Sequence, residues 1–245
     1  MNWTKKYYDD LWNRTWRRAG RFDELSRKIK PGVEFPDPRY LQIGEARSIT
    51  ATVLFVDIVS FTERSDRSTH RNLLLTLDLF LSEMTQIVNE WGGVVEKFTG
   101  DGLMAIFDTA YSNESEMVKD TIDVATTMRY EISNPINSYL ESNNIEPIRY
   151  RIGIDGGSLL VGKLGVRSDN DPVTIGWAAN IAAKLQEIAN VDTILLGNYI
   201  YLRLPDWERA YCVREEFPED WTYIKLGTSE RYPFFRYTAT WKIPT

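Results

Sequence analysis

The alternation of apolar and polar positions divides the chain into elements of two periods. Ile49 to Val56 is an apolar, β-branched run and predicts a strand buried on both faces at its end. Leu73, Leu77, Phe80, Leu81, Met84, Ile87 and Val88 recur at three- and four-residue spacing, predicting a helix over residues 68–91 that Gly92-Gly93 stops. Val94 to Thr99, a Gly100-Asp101-Gly102 turn and Leu103 to Phe107 form a predicted hairpin. Val118, Ile122, Ala125, Met128 and Ile132 give a second helical pattern within Glu114 to Leu140, interrupted or ended near Pro135. Tyr150 to Asp155 alternates as a strand, with Ser158 to Leu164 as its hairpin partner, so that Gly156 and Gly157 permit a tight turn. A polar loop from Asp169 to Pro172 precedes a short strand, a helix from Trp177 to Ala189 and a strand from Thr193 to Leu196. The tail is rich in strands and turns, clearest at Tyr223 to Leu226 and Phe234 to Trp241. This order predicts an α+β fold with a ferredoxin-like βαββαβ core and extra C-terminal strands.

Upstream, Tyr8, Leu11, Trp12 and Trp16 recur at helical spacing, so residues 3–30 are expected to form an amphipathic helix ended by Pro31-Gly32. A linker through Pro36-Asp37-Pro38 follows, which divides the chain into an N-terminal helix and linker (1–47) and one domain (48–245). The helical segment holds nine Lys and Arg against four Asp and Glu. Packing on the domain or on a dimer mate is favoured over a nucleic-acid contact.

Composition narrows the chemistry. A length of 245 residues suits one domain with an appendage, and a formal net charge of −6 argues against nucleic-acid binding as the main function. The single cysteine, Cys212, fits a reducing cytosol, and the single histidine, His70, leaves a divalent metal to oxygen ligands, which favours Mg²⁺ or Mn²⁺. No apolar run approaches the roughly eighteen residues of a membrane span, and no signal core opens the chain, so a cytoplasmic protein without membrane contact is expected.

If the first strand lies beside the hairpin, Asp57 at its end and Asp101 at the hairpin tip sit side by side. Two carboxylates that close repel unless a divalent cation neutralises them. The strand-end loop Ser60 to Thr62 next to them offers free N–H groups and suits a phosphate. Each aspartate alone also has a plainer reading, as turn chemistry or a helix N-cap. Asn180 and Lys184 share one helix face, with Ile181, Leu185 and Ile188 on the opposite, core-facing stripe. That polar face suits a ribose and a polyphosphate, or simply solvent. Gly157 to Lys163 imitates a phosphate-binding loop, but Leu164 follows where Ser or Thr would be needed.

Together, FVDIVSFT (Phe55 to Thr62) and EKFTGDGLMAIF (Glu96 to Phe107) resemble the metal-binding signature of class III nucleotidyl cyclases. The resemblance continues through Arg151 to Gly157 and Thr174 to Leu185, four motifs in family order over about residues 49–197. It implies a head-to-tail homodimer with two composite sites. Asp57, Asp101 and the Ile58 carbonyl would bind two Mn²⁺ or Mg²⁺ ions per site, and the backbone around Phe61 and Thr62 would hold phosphates. The other subunit would supply Asn180, Lys184 and the base-reading Lys97 and Val173. Lys184 departs from the family's arginine, keeping the charge without the bidentate geometry.

The base-reading positions depart further from the pattern. Adenylate cyclases of this type pair the lysine with Asp or Thr, whereas the Val173 side chain cannot hydrogen-bond. Trp177 stands where Asp or Asn is usual and either shrinks the base pocket or packs an interface. Lys97 as the remaining donor suits a ring presenting acceptors, as uracil does, so the nucleoside triphosphate favoured is UTP and the product cUMP. The compact build resembles the stand-alone uridylate and cytidylate cyclases of bacterial Pycsar anti-phage systems, which activate a separate cyclic-nucleotide-dependent effector. The alternatives are a cytidylate or adenylate cyclase, an inactive cyclase-like nucleotide-binding module and, more distantly, a DNA-contacting regulator.

Overall fold

The computed structural model describes residues 5–19, 27–37, 40–108, 113–166 and 169–240. The chain begins with helix α1 (Lys5–Ala19) and strand β1 (Ile29–Pro31), followed by β2 (Ala46–Ile58), α2 (Phe61–Ser65) and α3 (His70–Glu90). The hairpin β3 (Val94–Phe98) and β4 (Gly102–Asp108) leads to α4 (Glu114–Glu131), a π-helical turn (Ile132–Ile136) and α5 (Asn137–Ser142). Then come β5 (Tyr150–Val166), β6 (Asp169–Ile175), α6 (Trp177–Ile188), β7 (Thr193–Gly197) and α7 (Asn198–Arg203). Helix α8 (Asp206–Arg209) and strands β8 (Cys212–Arg214) and β9 (Phe234–Tyr237) complete the order. The main sheet runs β3-β4-β2-β5-β7-β9-β8, with β1 added to β2 and β6 to β5. Its first four strands and their helices are the expected ferredoxin-like core.

Strand alternation sets the layers. Leu54, Val56 and Ile58 face one side and pack with Phe80 and Met84 of α3 and Ile122 of α4. Ala51 and Val53 face the other side and pack with Ala178 and Ala182 of α6. Inside the first layer, the Thr52 and Thr121 hydroxyls bond to each other at 2.5 Å and tie β2 to α4. Helix α6 buries a second side as well, with Ile181 and Leu185 against Trp221 and Phe234 of the tail. It lies so close to β5 that a Cβ at Gly153 would overlap the Gln186 amide nitrogen and the Ala182 carbonyl.

Several sequence expectations are corrected. Helix α1 ends at Ala19, and Ile29–Pro31 form a strand instead, paired in parallel with Ala46 to Ser48. The side chains of Tyr8, Leu11 and Trp12 lie outside the described residues, while Trp16 is exposed. No turn forms at Gly156-Gly157. Strand β5 pairs with β2 without interruption from Tyr150 opposite Ile58 to Gly162 opposite Ala46, and its hairpin partner is β6. Asp169 to Pro172, expected as a loop, belong to β6. Near Pro135 the helix is interrupted, as expected, rather than ended: a wider π turn accommodates the missing N–H and the chain continues into α5. In the tail, Ile224 makes a single bridge to Arg231 rather than a strand, and β9 stops at Tyr237; Trp241 lies outside the described residues.

The α6–β5 contact yields a test. Gly153→Ala should destabilise the protein by about 1–3 kcal/mol, the usual cost of overpacking a close contact, read as a lower midpoint in urea. An unchanged midpoint would mean that α6 lifts from β5 without cost.

Candidate active site

Strand pairing builds the centre of the site. Asp57 lies opposite Gly102 in the β2–β4 ladder, and the Ile58 N–H donates to the Asp101 carbonyl at 3.3 Å. The hairpin tip therefore folds back over the end of β2. A Cβ on Gly102 would overlap the Val56 carbonyl and lie 2.6 Å from Asp57 Oδ1, so glycine is required for this approach. The two carboxylates meet as the sequence predicts. Burial first, and then the Asp101 charge, push the Asp57 carboxyl up to about 7, against the opposing pull of Arg151.

Two further residues touch this centre and escape sequence reading. Gln186 Nε2 donates to Asp57 Oδ2 at 3.4 Å. Arg151 stands directly opposite Asp57 on β5; its Nη1 donates to the Glu187 carbonyl at 3.4 Å, and its buried Nε makes no hydrogen bond among the described residues. The signal for Gln186 is its place four residues after Ala182, which puts a polar side chain on the sheet-facing stripe of α6. Arg151 becomes visible only once the β2–β5 register is fixed.

Ser60 turns into the left-handed region (φ 55, ψ 35), and α2 starts at once with Phe61 and Thr62, so the expected loop is a short helix. The N–H groups of such a first turn have no acceptor within the helix. Arg64, itself buried, fixes this turn by donating from Nη1 to the Glu146 carbonyl at 2.6 Å and from Nη2 to the Pro147 carbonyl at 2.5 Å.

Trp177, Asn180 and Lys184 share one face of α6 by their spacing. Asn180 is exposed, and Lys184 Nζ lies 3.3 Å from Glu187 Oε2 and 3.5 Å from Asp220 Oδ2. At 3.6 residues per turn, Asn180 and Gln186 lie about 120° apart around the helix. The structure thus joins Asp57, Ile58 and Asp101 beside Phe61 and Thr62, and sets Asn180 and Lys184 on a different face of α6. Lys97 is exposed on β3, 3.4 Å from the buried Glu96 Oε2, a separation that gives charge attraction without a directed hydrogen bond. Val173 is half-buried on β6, opposite Gly162, and β6 is not adjacent to β3 in the sheet.

The Trp177 indole is 46% exposed and is held edge-on by Tyr223 at 5.6 Å and Tyr232 at 6.1 Å. The Tyr232 hydroxyl donates to the Asp155 carboxyl, 3.0 Å from each oxygen, and accepts the Tyr199 N–H at 2.9 Å. Complete burial pushes the Asp155 carboxyl up to about 8, despite these hydrogen bonds and the Gly156 amide.

Among the described residues, no group of three or more His, Cys, Asp or Glu gathers, so a cation would rest on Asp57, Asp101 and the Ile58 carbonyl. Mg²⁺-like ions keep several waters and take further oxygens from substrate phosphates, so one or two carboxylates suffice. The donor set fits. No helix of the described residues is long and apolar enough to cross a membrane.

A ferredoxin-like core, a carboxylate pair at the end of its first strand and a polar helix face define a nucleotide cyclase domain. Residues 44–219 match the adenylate and guanylate cyclase catalytic domain, and the chain belongs to this family of class III nucleotidyl cyclases. It is 27% identical over 219 residues to a uridylate cyclase of Burkholderia cepacia, covering 88% of this chain and 90% of that relative. It is 28% identical over 167 residues to a cytidylate cyclase of Staphylococcus aureus, covering 66% of this chain and 40% of that one. The adenylyl cyclase CyaB from P. aeruginosa shares the fold, with a TM-score of 0.68 at 23% identity over 81% of this chain and 98% of that one. Class III cyclases are generally dependent on divalent metals.

Asp155 gives a pH test. Its folded value of about 8 lies above the ordinary 3.8, so the folded state binds the extra proton between these limits. Its contribution is full below the lower value and is lost as pH rises through the upper one. Asp155→Asn should therefore flatten the fall in urea midpoint across that window. An unchanged slope would show that another group carries it.

Proposed function

We propose that this chain is a homodimeric pyrimidine cyclase that converts UTP to 3′,5′-cyclic UMP and pyrophosphate at sites composed of two copies. The observation that carries this reading is the orientation of α6. Gln186, not Asn180, is the α6 residue that reaches Asp57. A site that uses Asp57, Asp101, Asn180 and Lys184 together takes its carboxylates from one copy and its polar helix face from the other.

Asp57, Asp101 and the Ile58 carbonyl would hold two Mn²⁺ or Mg²⁺ ions, whose chemistry is to neutralise the triphosphate and to acidify the ribose 3′-hydroxyl. The N–H groups of Phe61 and Thr62 receive phosphate oxygens at the start of α2. Asn180 of the second copy hydrogen-bonds the ribose and holds the 3′-oxygen in line with the α-phosphorus. That oxygen bonds to the α-phosphorus as its proton passes to water, the bond from phosphorus to the bridging oxygen breaks, and pyrophosphate departs with that bond's electron pair. Lys184 faces the charge developing on the phosphoryl oxygens. Its ion pairs with Glu187 and Asp220 are with exposed carboxylates, and such pairs are worth about 0–1 kcal/mol each. A triphosphate outcompetes them.

Lys97, whose one ion pair among the described residues is with Glu96, donates to a uracil carbonyl. Val173 offers no side-chain partner to an exocyclic amine, and Trp177, wedged against two tyrosines, narrows the pocket. An amine left unpaired discriminates more strongly than bulk alone. The named uridylate cyclases of B. cepacia and of Xanthomonas perforans, the latter 27% identical over 84% of this chain, support a pyrimidine substrate. Signalling to a separate effector in anti-phage defence completes the proposal and rests on the resemblance to stand-alone pyrimidine cyclases.

Incubation with each of the four ribonucleoside triphosphates and Mn²⁺, with cyclic products weighed by mass spectrometry, should rank UTP above CTP and both above the purines. Preference for ATP would overturn the pyrimidine reading, and preference for CTP would overturn the carbonyl argument. Lys97→Ala should reduce UTP turnover by about tenfold or more, since a charge-assisted contact is worth roughly 1.5–3 kcal/mol.

The composite site has its own test. Asp57→Ala and Asn180→Ala should each be inactive alone, and mixing them should restore activity through heterodimers with one intact site. Verified subunit exchange without recovery would rule out a site shared between copies.

A further inference from the structure

On the opposite flank of the sheet, separated from β2 by β5 and β7, an opening of about 770 Å³ lies against β8, β9, α7 and the 215–233 segment. Its wall is built rather than draped. Trp221 is buried and donates from Nε1 to the Tyr232 carbonyl at 2.9 Å, while the Lys225 N–H donates to the Glu230 carbonyl at 2.8 Å. The bridge between Ile224 and Arg231 closes the same turn.

The lining is basic on a chain whose net charge is −6. Arg214, Lys225 and Arg231 face a single carboxylate, Glu230, which Lys225 already engages at 2.7 Å. Two guanidinium groups remain without an ion-paired carboxylate among the described residues. They stand beside aromatic surface: Arg231 lies 5.7 Å from the centre of the Phe217 ring, while Tyr201 stacks on Phe235 at 3.9 Å with only 10° between the planes and has Arg209 5.9 Å from its centre. Guanidinium forks match phosphate oxygens, and flat rings match a nucleobase. The volume is within the roughly 300–1,000 Å³ of small-molecule pockets, and a bare phosphate would leave the aromatic walls unused.

The geometry points to an accessory mononucleotide site, with phosphate between Arg214 and Arg231 and the base against Phe217 or Tyr201. It requires neither the substrate assignment nor turnover, so it stands or falls apart from the cyclase reading.

Photocrosslinking with 5-iodo-UMP on the full chain, mapped by peptide mass spectrometry, tests it. Label is expected on peptides containing Phe217 or Tyr201. Arg214→Ala/Arg231→Ala should reduce that label by about tenfold or more, because each 1.4 kcal/mol of lost contact is a factor of ten. Arg214→Lys/Arg231→Lys, which keeps the charge, should retain more label than the alanine pair. 5-Iodouridine, which lacks the phosphate, should label as weakly as the alanine variant. Label confined to peptides bearing Lys97 or Trp177, label equal in the alanine variant and wild type, or equal labelling by nucleoside and nucleotide would each overturn the site. Both arginines are exposed, and a thermal melt matching wild type excludes misfolding as the cause of lost label.

Discussion

The rest of the structure depends on one unfavourable contact, the approach of Asp57 and Asp101. Burial and the neighbouring Asp101 charge both disfavour the ionised Asp57 carboxylate and push its carboxyl up to about 7. Against this, Leu54, Val56 and Ile58 on the same strand are each almost completely buried, and a side chain of that kind contributes about 1.5–3 kcal/mol. The apolar face of β2 therefore outweighs the repulsion at its polar end. The strand cannot slip to separate the acids, since a one-residue shift would turn its core face to the opposite side of the sheet. The charge conflict is fixed into the fold, where protonation of Asp57 or a bound cation would relieve it.

The same parity rule explains how α6 serves the site. Odd-numbered positions of β2 face α6, which is why Asp57 meets Gln186 and why the small residues Ala178 and Ala182 fill that layer. Close packing over Gly153 fixes the depth of the helix, while Ile181 and Leu185 anchor its other side to the tail. With two sides buried, only the remaining stripe is free to present Trp177, Asn180 and Lys184. The helix has no rotational slack, so whatever meets that stripe meets a fixed array.

Much of this was legible in the chain because it rests on local pattern. The apolar run ending in Asp57, the turn around Asp101, the heptad-like rows of α3 and the polar face of α6 each carry their signal within a single contiguous segment. What escaped depends on distant partners. Gly156 looks like a turn residue, yet it is small because the Tyr199 ring lies against it within an unbroken strand. Strand β1 has exposed side chains and exists through its backbone ladder to β2, so no hydrophobic pattern announces it. Arg151 and Gln186 reach the site only through the register of β5 and the packing depth of α6. Neither quantity is written locally.

The tail shows where family pattern and individual chemistry part. The family match ends at residue 219, whereas Tyr223 and Tyr232, the two rings against Trp177, lie after it. Tyr232 is held in turn: its hydroxyl bonds Asp155 on β5 and the Tyr199 amide on α7, and its carbonyl accepts from Trp221. A buried polar group with every bond made is costly to move, because displacement exposes unpaired donors and acceptors. Trp177 is therefore seated on two tyrosines that lie beyond the matched residues, one of them anchored back to Asp155 and Tyr199 within them. Asp57 and Asp101 stand on the common core, while the Trp177 indole rests in part on C-terminal packing beyond it. The carboxylate pair and the indole are thus held by separate parts of one fold, so that packing around the one can change without moving the other.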